Sequence, residues 1–77
     1  MATKMKPHLA TQTRLVEDFN RANTVGVLVR YWRGAKDGPP SGVGETTSEA
    51  QLLSGHTAVV WIKGCSGCIG LSHVEVV

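Results

Sequence analysis

Few residues of this chain are equipped for chemistry, and the densest group is Cys65-Ser-Gly-Cys68, followed after four residues by His73. Cysteine and histidine ligands of zinc sit at such spacings, and a chelating turn between two strands can act as a knuckle. A bound metal would also stabilise a small core. Cys65, Cys68 and His73 are therefore candidate zinc ligands, and no other cofactor is expected. The same residues equally describe a plain hairpin turn at Ser66-Gly67, or a redox-active dithiol. The dithiol lacks the helix start whose positive end would favour a thiolate. One Cys-x-x-Cys without a second pair leaves these readings open.

A second group lies at Arg30, Tyr31, Trp32, Arg33 and Lys36, where basic and aromatic residues interleave. Nucleic acid can be held this way, rings stacking on bases and cations on phosphates. Strand alternation puts Tyr31 and Trp32 on opposite faces, which favours a core role for the first and a covering role for the second. Arg30, Trp32, Arg33 and His56 are the candidate ligand-binding residues, suited to a nucleotide or other anion at a subunit interface. The three histidines and the scattered Glu45, Glu49 and Glu75 supply no nucleophile, base and orienting acid that spacing can pair. No catalytic residue is named, and enzyme activity is not expected. The glycine-rich segment 34–44 lacks the lysine-serine or lysine-threonine ending of a phosphate cradle.

The elements that must position these groups follow from periodicity. Residues 1–7 are expected as a flexible tail. Leu15, Val16, Phe19 and Ala22 recur on one helical face, which predicts an amphipathic helix over 8–23. From Val27 the period becomes strand-like, and residues 27–33 form the first strand of a β domain over 26–77. Residues 34–44 carry four glycines and two adjacent prolines, so a long loop must follow, and loops of that length are often functional. A second strand over 42–48 leads into 50–53. The apolar run 58–62 is a third strand, 68–71 a fourth, and 74–77 a short last one after a bend at Ser72-His73.

Composition bounds the rest. A chain of 77 residues makes one domain that buries only about 60% of its unfolded surface, so a metal or self-association would help it. With 42% apolar and 18% charged residues the chain should fold, and a net charge of +2 does not mark a nucleic-acid binder. No apolar stretch follows the basic N-terminal residues, so no secretory leader is expected, and nothing is long enough to span a bilayer. Two cysteines three apart do not make a secreted disulfide framework. The expected location is the cytoplasm.

The order of strand, long glycine-rich loop, strand, strand, tight hairpin, strand, one-turn bend and short strand over Val27–Val77 resembles the SH3-like small barrel. The ending Gly67-Cys-Ile-Gly-Leu-Ser-His-Val74 is similar to the closure of such barrels. The resemblance implies a mostly β fold, a five-stranded SH3-like barrel preceded by the helix. The first loop has no aromatic residue and few acids, so proline-rich-peptide recognition is not carried over. In size and shape the chain also resembles the type II dihydrofolate reductase barrel. That family's pore motif Val-Gln-Ile-Tyr is replaced here by Cys68-Ile-Gly-Leu71, so reductase activity is not implied. The phrases Val-Arg-Tyr-Trp-Arg-Gly and Ser-Gly-His-Thr-Ala-Val-Val-Trp look like small uncharacterised phage and prophage proteins. That likeness implies a mobile-element protein acting on a host factor.

The function expected is thus a non-enzymatic binding module that modulates a host protein, with anion sequestration or nucleic-acid binding as alternatives. The apolar run 58–62, with Leu28, Trp32 and Val76-Val77, gives more apolar strand surface than one small core can cover. A homo-oligomer, dimer or higher, is expected to cover it.

Overall fold

The structure is a computed structural model and describes residues 7–77. Helix α1 spans Pro7–Ala22. It opens one residue earlier than periodicity suggests, at a proline, which suits a first turn where the missing N–H has no partner to lose. The expected tail otherwise lies outside the described residues. Gln12, Leu15, Val16, Phe19 and Asn20 are half-buried along one side of α1. Leu15, Val16 and Phe19 pack against the main core, and the two amides fix the helix to the sheet. Gln12 Oε1 accepts from the Ala58 N–H at 2.9 Å. Asn20 donates through Nδ2 to the Ala50 carbonyl at 3.0 Å and accepts from the Ala50 N–H at 2.8 Å. Asn23 ends the helix, its backbone N–H and its Nδ2 both donating to the Phe19 carbonyl, a carbonyl that the last turn leaves without an intrahelical partner.

Six short strands follow: β1 (Leu28–Tyr31), β2 (Gly42–Glu45), β3 (Gln51–Leu53), β4 (Thr57–Trp61), β5 (Cys68–Gly70) and β6 (Val74–Val76), with a 3-10 turn at Leu71–His73 before the last. Among the described residues they form two antiparallel three-stranded sheets, ordered β2-β1-β6 and β3-β4-β5. The fold is mostly β, as expected. The count differs because the expected second strand is divided into β2 and β3 at Thr46.

Thr46 is where the chain leaves one sheet for the other. Its N–H donates to the Val27 carbonyl at 3.0 Å and its Oγ1 accepts from the Gly26 N–H at 2.9 Å, both towards the first sheet. It also bridges Ile62 just beyond β4, flanked by Lys63 N–H to the Glu45 carbonyl at 2.8 Å and Thr47 N–H to the Trp61 carbonyl at 2.9 Å. This polar side chain is only 3% exposed, and the bond from Gly26 satisfies it, as burial requires. The crossing is tight. A Cβ on Gly44 would lie 2.9 Å from Ile62 Cγ2 and 3.1 Å from the Lys63 carbonyl, so only glycine lets the two backbones approach this closely.

The core gathers Val29, Ala50, Ala58, Val60, Ile62, Ile69 and Leu71. The apolar run of β4 is therefore satisfied within one chain, with Val59 buried too. The uncovered large apolar residues lie elsewhere, chiefly Leu28, Val43, Val76 and Val77 of the β2-β1-β6 sheet region. Among the described residues no helix is long and apolar enough to cross a membrane.

Candidate functional site

The end of β1 and the residue after it carry two aromatic residues to opposite sides of the sheet, and each holds one part of the following loop. Trp32 is 8% exposed. Its backbone N–H donates to the His73 carbonyl at 3.0 Å, continuing the β1–β6 pairing, and its indole Nε1–H donates to the Gly38 carbonyl at 3.2 Å. Gly38 has φ 71, a left-handed turn that glycine adopts without steric cost. The loop neck is closed by Ser41, whose N–H donates to the Tyr31 carbonyl at 2.7 Å and whose Oγ accepts from the Arg33 N–H at 3.0 Å. Pro39 and Pro40 further restrict the backbone between these anchors. Residues 33–40 are all exposed, so the loop is presented to solvent while held at its neck and middle.

Charge collects at its base. Lys36 Nζ lies 5.3 Å from the Trp32 ring centroid and 2.9 Å from Glu75 Oε2. Arg30 reaches Glu75 Oε1 at 3.7 Å. Two cations share one carboxylate, so this cluster keeps one net positive charge. These are half-exposed ion pairs, each worth about 0–1 kcal/mol, and they orient side chains more than they stabilise the fold.

Tyr31 faces the other way and joins the periphery of the core. Its hydroxyl lies so close over Gly42 that a Cβ there would be 2.6 Å from it. The Tyr31 phenol is held above its ordinary pKa, first by its hydrogen bond to Cys65 and next by burial, while Arg33 acts in the opposite direction. A residue of the β4–β5 connection is thereby tied to the start of the long loop.

The candidate ligand residues are only partly brought together. Arg30 and Trp32 lie together beside Lys36 and Glu75, whereas the Arg33 side chain acts on Tyr31, on the opposite side. His56 belongs to the other sheet, in the β3–β4 turn made by Ser54 and Gly55, both with positive φ. Its Nδ1 lies 2.9 Å from Thr57 Oγ1, a local turn contact. Trp32 is no stacking platform, because its ring lies beneath the loop it anchors. Among the described residues no three His, Cys, Asp or Glu side chains gather as a metal site, so Cys65, Cys68 and His73 do not form one. Cys65 packs against the core beside Tyr31. Cys68 pairs with Trp61 on the sheet, next to inward Ile69, so alternation turns it away from the core. Both cysteines are free thiols.

Sequence reasoning missed Gly38, Ser41 and Glu75. Gly38 and Ser41 bracket the two prolines, which was the available signal. Glu75 comes opposite Arg30 only through the β1–β6 register, which has no local trace. No protein-family model matches this chain, and comparison with curated proteins and with solved structures finds no match.

Proposed function

We propose that the protein is a small non-enzymatic binding module that engages another protein through loop 33–40 and its basic rim, Arg33 and Lys36. The observation that carries this is the anchoring of an exposed loop at three points, by Trp32, Ser41 and the Lys36–Glu75 pair. A loop ordered before it meets a partner loses little conformational entropy on binding, which raises affinity. A small domain has no structural need for a connector of this length, and such loops commonly carry function. The likeness to phage and prophage proteins makes a cytoplasmic host protein the partner we propose.

The scaffold we propose is an SH3-like barrel, with β2 and β3 as two halves of one strand bent at Thr46. Support comes from the pairing of β1 with the last strand, the 3-10 turn before that strand, and the Thr46–Ile62 bridge between the sheets.

Photocrosslinking tests the function. A benzophenone amino acid at Ala35, in the cells that carry the protein, is expected to give a discrete protein adduct, whereas the same group at His56 gives none. Equal labelling from both positions, or recovery of nucleic acid or a small anion in place of protein, would overturn the proposal.

A further inference from the structure

The outer face of the β2-β1-β6 sheet carries a square of four side chains whose arrangement is self-complementary. The register pairs Leu28 with Glu45 and Arg30 with Val43. Paired residues in an antiparallel ladder share a face, as do residues two apart on a strand. These four therefore project together, opposite to buried Val29. Leu28 and Val43 occupy one diagonal and are 45% and 56% exposed. Arg30 and Glu45 occupy the other diagonal and carry opposite charges. Arg30 holds Glu75 only at 3.7 Å, and Glu75 is held more closely by Lys36 at 2.9 Å. Among the described residues Glu45 has no ion-pair partner.

We infer that this face binds a second copy of the same chain across a two-fold axis lying along the Leu28–Val43 diagonal. Rotation about that axis sets Leu28 against Leu28 of the other copy and Val43 against its own counterpart. It exchanges the charged corners, so each Arg30 meets the other copy's Glu45, twice per dimer. A two-fold interface must be complementary to itself in this manner. An axis along the other diagonal would set Arg30 on Arg30 and Glu45 on Glu45, and like charges disfavour it. The diagonal axis crosses the two sheets at a steep angle, one of the two established ways for sheets to pack face to face. It also leaves the loop 33–40, at the far end of β1, beyond the partner's β2 edge. The dimer would then present two loops, one at each end.

A different partner protein on this face would have no reason to carry the mirror of this pattern, whereas the chain itself carries it. The inference does not depend on the loop function, because its test reads mass and not partner capture.

Sedimentation velocity on the full chain over the range from about 1 to about 200 µM tests it, with circular dichroism confirming the fold of each variant. The wild type is expected to form a dimer. Arg30→Glu and Glu45→Arg alone should each weaken it by about tenfold or more, and the double variant should recover most of the lost affinity. Leu28→Asp should leave a folded monomer. A wild type that stays monomeric throughout, an assembly larger than two, or a double variant no tighter than either single one would overturn the inference.

Discussion

The Asn20 side chain and the Ala50 backbone exchange two hydrogen bonds, at 3.0 and 2.8 Å, across thirty residues of sequence. Ala50 is 3% exposed and lies just before β3 begins, where its N–H and carbonyl have no ladder partner. One amide from the helix supplies both the donor and the acceptor that Ala50 needs. The helix is thus attached by polar complementarity as well as by Leu15, Val16 and Phe19.

Asn20→Ala leaves both Ala50 groups buried without partners, and an unmet buried group costs about 1–3 kcal/mol. The expected loss is roughly 2–4 kcal/mol in urea denaturation, with Asn20→Asp intermediate because it keeps the acceptor alone. A loss under about 0.5 kcal/mol for Asn20→Ala would show that the helix is only loosely docked.

Gly44→Ala places a methyl group 2.9 Å from Ile62 Cγ2 and 3.1 Å from the Lys63 carbonyl at the crossing of the two sheets. Forced overpacking of this kind costs about 1–3 kcal/mol. Gly34→Ala meets nothing within 4 Å and has no left-handed backbone, so it should change stability by less than about 0.5 kcal/mol. Comparing the two midpoints in denaturant checks the tightness of the junction, and equal effects would contradict it.

Tyr31 is the single tyrosine of the chain, so absorbance at the phenolate band follows it alone. Its pKa is raised above the ordinary 10.0 by the bond to Cys65 and by burial. The folded state therefore keeps its proton more tightly than the unfolded state. The stability this confers is complete below the unfolded value and is lost as pH climbs through the folded one. A midpoint above 10 that falls when urea unfolds the protein is expected, and Tyr31→Phe should flatten the alkaline part of the stability curve. A native midpoint at or below the unfolded one would rule out the Tyr31–Cys65 link.

Much of this architecture was legible from the residues. The spacing of Leu15, Val16 and Phe19 located the helix, and the alternation in 27–33 correctly set Tyr31 and Trp32 on opposite sides. The split at Thr46 was not legible, because it depends on a bridge to Ile62 that sequence proximity does not foreshadow. Trp32 read as a candidate binding surface because a tryptophan among arginines has that pattern; its burial follows from Gly38, six residues on, turning back over the indole. His56 was grouped with the arginines by residue type alone, and topology puts it in the other sheet. Cys65, Cys68 and His73 have ligand spacing along the chain, but Cys65 packs against the core from the β4–β5 connection while strand alternation turns Cys68 away from it.

Whether the anchored loop does the binding is decided by Trp32→Phe. The substitution keeps an aromatic ring under Lys36 and removes the indole N–H that holds Gly38. Affinity for the partner protein crosslinked from Ala35 should be measured by titration calorimetry for wild type and variant. The expected loss is about three- to tenfold, the equivalent of one hydrogen bond, with faster hydrogen exchange confined to residues 34–40. Unchanged affinity despite a loosened loop would contradict binding through the anchored loop.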